Sequence, residues 1–165
     1  MAFYNNSSLI GVNFNTTTTT QLFTLGTTTE GSDGTLWQYT KANTSVSAYA
    51  VVAITPSGAC AMCSIGDAVL GYQLAVPQIA FAASEYGWVP VHGVGGANSN
   101  LKVLAATMTA TSIYISATTG RLSYTESGSA TIHGITIYGA SGSDVGGVTS
   151  LACILTWPKC NIVGA

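Results

Sequence analysis

The chain has 165 residues, of which four are Lys or Arg and six are Asp or Glu, so the net charge is −2 and only 6% of residues are charged beside 47% hydrophobic ones. Four cations leave no basic footprint for a phosphate backbone, which excludes nucleic acid as the expected partner. Despite a mean hydropathy of +0.41, no apolar run nears the roughly 20 residues of a membrane-spanning helix, so no membrane role is expected.

Soluble domains average about 25% charged residues. A folded domain of this mass exposes about 7,700 Å², which leaves about one charged side chain per ~770 Å². Thr, Ser, Asn and Gly wet such a surface without making it repel its neighbours. The chain is therefore expected to live packed against copies of itself or against a partner lattice.

The first residues, Met1–Leu9, show neither a basic n-region nor an apolar h-region, and no secretory signal is expected. Residues 1–30 then read as an N-terminal arm. Phe3, Phe14 and Phe23 flank Asn5–Ser8 and five consecutive threonines, Thr16 to Thr20. A threonine run has high strand propensity but no core of its own. It suits an extended arm that adds a strand to a neighbour, in preference to a disordered linker.

Residues 31–165 read as one all-β domain, a small antiparallel β-barrel or sandwich. Period-two alternation recurs at Leu36–Tyr39, Val46–Ile54, Val69–Val76, Trp88–Val91, Leu101–Leu104, Ser112–Ser116, Ile132–Tyr138 and Leu151–Trp157. Turn chemistry separates these runs at Gly31–Gly34, Pro56–Gly58, Gly93–Gly96, Thr119–Gly120 and Ser141–Gly147. One helical turn is expected at Gln78–Glu85, where alanines follow Pro77.

Residue types that carry chemistry are sparse. Cys60 and Cys63 form a C-x-x-C, with Cys153 and Cys160 far downstream. Zinc ligation and disulfides are open to four cysteines. In a strand, however, positions 60 and 63 face opposite ways, which favours free thiols acting as small hydrophobes. His92 and His133 are the only histidines, and no nucleophile elbow accompanies them. Glu30, Asp33, Asp67, Glu85, Glu126 and Asp144 are scattered singly. Neither a glycosidase pair nor a calcium array is visible. No enzyme activity, metal or cofactor is expected. Trp37, Tyr39, Tyr86 and Trp88 would fill the core or an interface; as a surface platform they would instead point to an adhesion or fibre module that binds host-surface glycans.

The order of the motifs carries a resemblance. Gly31–Ser32–Asp33–Gly34–Thr35–Leu36–Trp37–Gln38–Tyr39 runs into Ala42, and Ala80–Phe81–Ala82 precedes Glu85–Tyr86–Gly87–Trp88–Val89 and Gly93. Leu101–Lys102–Val103–Leu104, Ala117–Thr118–Thr119–Gly120–Arg121–Leu122, Ile132–His133–Gly134–Ile135 and Thr156–Trp157–Pro158 follow. In this order the chain resembles the small capsid decoration (cement) proteins of tailed bacteriophages. The resemblance implies a β-rich homotrimer on the outer surface of an icosahedral virion, assembled in the bacterial cytoplasm, clamping neighbouring subunits of the major capsid protein. It implies no catalytic residue. The residues expected to contribute capsid and subunit contacts are Phe3, Tyr4 and Phe14 with Thr16, Thr17, Thr18, Thr19 and Thr20.

Overall fold

The computed structural model describes residues 12–68, 70–93, 101–105, 113–115, 120–123, 130–138 and 149–162. Among the described residues the fold is all-β apart from one helical turn. In chain order the strands are β1 (Thr28–Glu30), β2 (Leu36–Ala42), β3 (Val52–Ile54), β4 (Ala59–Met62), β5 (Gln73–Ala75), β6 (Tyr86–Gly93), β7 (Lys102–Ala105), β8 (Ile113–Ile115), β9 (Leu122–Ser123), β10 (Ala130–Tyr138) and β11 (Thr149–Ile162).

Local chemistry sets the tight connections. Asp33 Oδ1 accepts the Thr35 N–H at 3.0 Å, an Asx turn that reverses the chain between β1 and β2. Between β3 and β4, Pro56 presets one dihedral and Gly58 takes φ 79°. The Gly58 N–H then donates to Thr55 O at 2.9 Å, closing the turn.

Hydrogen bonding follows two closed circuits that share β11. One runs β2–β4–β3–β5–β11–β6 and back to β2; the other runs β11–β10–β8–β9–β7 and back to β11. The sheet is ring-like but mixed, because β2 pairs β4 in parallel and β7 pairs β9 in parallel. The expected antiparallel barrel or sandwich is thus corrected to a mixed sheet with ring-like bonding. Short strands returning through the β3–β4 hairpin bring β4 alongside β2 in the same direction as β2.

Alternation divides the core between the two faces of the strands. Trp37, Tyr39 and Trp88 join Leu74, Ile115, Leu122 and Leu155 in a large cluster. Val89, Val91, Val52, Ile54 and Phe81 form a smaller aliphatic one. Thr40, fully buried on β2, accepts a hydrogen bond from the Cys60 thiol at 3.5 Å, which satisfies it.

Three local expectations are corrected. Gln78–Glu85 forms no helical turn: Phe81 makes an isolated bridge with Val46, and Glu85 Oε2 takes the Ala82 N–H at 2.7 Å. The helical turn α1 lies instead at Ile65–Ala68. There the Ser64 hydroxyl donates to Asp67 Oδ2 at 2.7 Å and accepts the Asp67 N–H at 3.3 Å, a reciprocal cap. The Val46–Ile54 run is not one strand, since Tyr49 turns the chain at φ 65° and only Val52–Ile54 forms a strand, Val46 keeping its isolated bridge. Similarly, among the described residues of the Val69–Val76 run only Gln73–Ala75 forms a strand.

Candidate functional site

The N-terminal segment and β11 hold the features most open to a partner. Phe3 and Tyr4 lie outside the described residues. Phe14 stacks on Trp37 with ring centroids 4.6 Å apart and planes 8° apart, and meets Trp88 edge-on at 6.0 Å. Phe23 lies edge-on to Tyr39 at 5.3 Å and to Trp88 at 5.2 Å. These two phenylalanines roof the body of the same chain. Such geometry is worth about 0.5–1.5 kcal/mol per ring pair beyond the area it buries.

The threonine run crosses that roof. Thr18 forms an antiparallel bridge with Tyr86, its N–H donating to Tyr86 O at 2.9 Å and its carbonyl accepting the Tyr86 N–H at 2.8 Å. Thr17 and Thr18 are half-buried, whereas Thr16, Thr19 and Thr20 are exposed. Beyond them Leu22 donates its N–H to the Tyr39 hydroxyl at 3.0 Å while its side chain stays 62% exposed. The described part of the arm, 12–30, therefore packs on the β2–β6 face and continues into β1. A cavity of about 320 Å³ remains beneath it, lined by Phe23, Tyr39, Tyr86, Trp88 and threonines.

Of the aromatic quartet expected in the core or on a platform, Trp37, Tyr39 and Trp88 are buried and Tyr86 is half-buried. The Lys41 ammonium sits 5.5 Å from the centre of the Tyr86 ring, a cation–π contact at the margin of the roof.

The four cysteines are buried. Cys60 belongs to the aliphatic cluster and Cys63 to the aromatic one, as opposite faces of a strand require. Burial raises the Cys60 thiol, with the Thr40 hydroxyl pulling the other way. Burial, reinforced by the charges of Cys160 and Asp67, pushes Cys63 up to about 12. Burial alone pushes Cys153 up to about 12. All three are neutral thiols at physiological pH, poor nucleophiles and poor metal ligands. Among the described residues no group of three or more His, Cys, Asp or Glu could hold a metal ion.

The carboxylates serve local structure. Asp33 makes the β1–β2 turn, Asp67 caps α1 and Glu85 caps the Ala82 turn. Glu126 and Asp144 lie outside the described residues. His133 is exposed on β10, directly across from Lys159. His92 is half-buried on β6, with Nδ1 cut off from solvent and without a hydrogen-bond partner among the described residues. Neither histidine makes a hydrogen bond to a serine or carboxylate among the described residues.

β11 carries a feature that alternation alone did not reveal. Pairing with β10 slips between His133↔Lys159 and Ile135↔Leu155, so Thr156, Trp157 and Pro158 stand opposite the single residue Gly134. Proline cannot donate to a ladder, and the strand bulges there. Gly134 takes φ 80°, and a Cβ on it would lie 2.6 Å from Thr156 O. Trp157 is driven to φ 52° and left 47% exposed, its ring 5.7 Å from that of His92. A bulky side chain at positive φ costs about 1–2 kcal/mol. Trp-Pro inside an apolar strand run was the readable signal for this bulge.

No family model matches the chain, and neither a curated protein nor a solved structure matches it.

Proposed function

We propose that this chain is a structural virion protein that decorates the outside of a bacteriophage head, clamping neighbouring major capsid subunits as a homotrimer. The observation that carries the proposal is the surface: ten charged residues in 165, with Leu22, Leu70 and Trp157 all large, apolar and at least 47% exposed. A standard interface buries about 800 Å² per partner. At about 25 cal/mol per Å² of apolar area, repeated contacts of that size gain several kcal/mol each before entropy costs. Scarce charge suits such burial, because each unpaired ion would lose its hydration. The motif order resembling decoration proteins supports the same reading.

The exposed threonines Thr16, Thr19 and Thr20, with Leu22 beside them, are the arm residues best presented to a capsid subunit. Phe14 contributes by holding the segment down through Trp37. The test is binding to undecorated heads by the full chain and by a Thr16→Glu/Thr19→Glu/Thr20→Glu variant, which leaves the aromatic roof intact. The expected result is saturable binding by the former and at least a ~10-fold loss by the latter. Equal occupancy of heads by both proteins contradicts the role of the arm, and no binding by either contradicts decoration. The glycan-binding alternative draws support from the aromatic-lined cavity under the arm; retention on a glycan array, weakened by Tyr86→Ala, is the result that favours it.

A further inference from the structure

The Trp157 bulge combines features that the proposed arm contacts leave unused. A tryptophan is held in a left-handed backbone conformation and shown to solvent, while the neighbouring His92 Nδ1 has no hydrogen-bond partner among the described residues. Strained, poorly satisfied positions of this kind cluster where a protein binds something, and tryptophan is the residue most enriched at interface hot spots.

Charge says what the bulge would meet. Strands β6, β10 and β11 contain no Asp or Glu, yet they carry Lys159 and both histidines of the chain. Lys41 and Lys102 cover the rings of Tyr86 and Tyr49. Lys159, in contrast, pairs through its backbone with His133 and Gln73 but is exposed, and its ammonium makes no hydrogen bond or ion pair among the described residues. Lys159 therefore places a positive charge two residues along β11 from the exposed Trp157, although the net charge of the chain is −2.

A complementary surface exists on the same molecule. In the β1–β2 turn, Glu30, Ser32 and Asp33 are exposed. Register carries the link between the two: Glu30 pairs Leu36, Leu36 pairs His92, and His92 pairs Thr156. The acidic turn and the bulge thus lie three strand spacings apart, about 14 Å, along one rim. Two unlike, complementary points this close on one rim are brought together by rotating one copy about an axis beside that rim, and the resulting contact can close into a ring.

We infer that the Trp157 bulge is a docking point for a second copy of this chain, whose Glu30–Gly34 turn seats against Trp157 and Lys159. The inference rests on the homotrimer in the proposed function and names its contact. Self-association of the free chain and binding to heads are read in separate assays, so failure of one is distinguishable from failure of the other.

The experiment is sedimentation velocity on the full chain over the micromolar range, with variants Trp157→Asn, Lys159→Glu, Glu30→Lys and the double Glu30→Lys/Lys159→Glu. Asparagine tolerates the left-handed conformation, so Trp157→Asn keeps the fold, and a thermal melt no lower than that of the parent checks this. Trp157→Asn is expected to weaken association by about 30-fold or more. Each charge reversal is expected to weaken it by about 5-fold, and the double variant to recover most of that loss. A parent chain that sediments as a monomer throughout, a Trp157→Asn variant that associates like the parent, or a double variant weaker than both single reversals would each overturn the inference.

Discussion

Trp37 and Trp88 lie under a roof of Phe14 and Phe23, while Trp157 stands half-exposed on a bulge. Both regions are built from strands with apolar alternation, and the backbone decides the difference. On β2 and β6 the register keeps Tyr39 opposite Trp88, so aromatic rings accumulate on one face. On β11 Pro158 breaks the ladder, and the extra residues push Trp157 out. Residue type alone thus says little about whether a tryptophan stabilises the fold or meets a partner; the continuity of the ladder beside it does.

Four perturbations break or sharpen this contrast. The largest effect is expected from alkali on the roofed side, where Cys63 and Cys153 belong to the aromatic cluster. Their pKa values rise from the ordinary 9.0 to about 12 on folding. A raised pKa means stability that is full below pH 9 and lost as pH climbs toward 12. The loss is about 1.4 kcal/mol per pH unit for each thiol. Denaturant midpoints measured from pH 8 to 11 should fall, and a flat profile would show these thiols to be solvated.

Next comes Gly134→Ala, which brings a Cβ to 2.6 Å from Thr156 O at a positive φ. It is expected to cost about 3 kcal/mol, read by chemical denaturation. Phe14→Ala follows, at about 2 kcal/mol, because the ring it removes is only half-buried. It should red-shift tryptophan emission as Trp37 gains water. The smallest effect is Trp157→Asn, expected to stabilise the monomer by about 1 kcal/mol through relief of left-handed strain. A destabilised Trp157→Asn would mean that the exposed ring holds the fold together after all.

Much of this was legible in the residues. Leu36–Tyr39 and Trp88–Val91 read as strand, and they lie in the longest pairing of the first circuit. The opposed faces of Cys60 and Cys63 followed from strand period alone. Other features depend on contacts distant in sequence. Nothing in Thr28–Glu30 or Leu122–Ser123 marks a strand, because pieces this short gain their conformation from the partner strand. The parallel pairings of β2 with β4 and β7 with β9 have no local signature. For the site, the five threonines drew attention to the arm, but whether Phe14 faces inward depends on Trp37, 23 positions away in the sequence. The helical turn at Ile65–Ala68 had a readable start in Ser64-x-x-Asp67, which a search for alanine-rich segments passes over.

The place of β11 as the strand common to both circuits has a consequence for how the protein is made. Its residues are synthesised after every strand with which they pair, and neither circuit can close without them. A growing chain therefore exposes unpaired edges of β5, β6, β7 and β10 until Ile162 is available. Both circuits must wait for β11 rather than build up strand by strand, and during that window nascent copies are prone to associate wrongly.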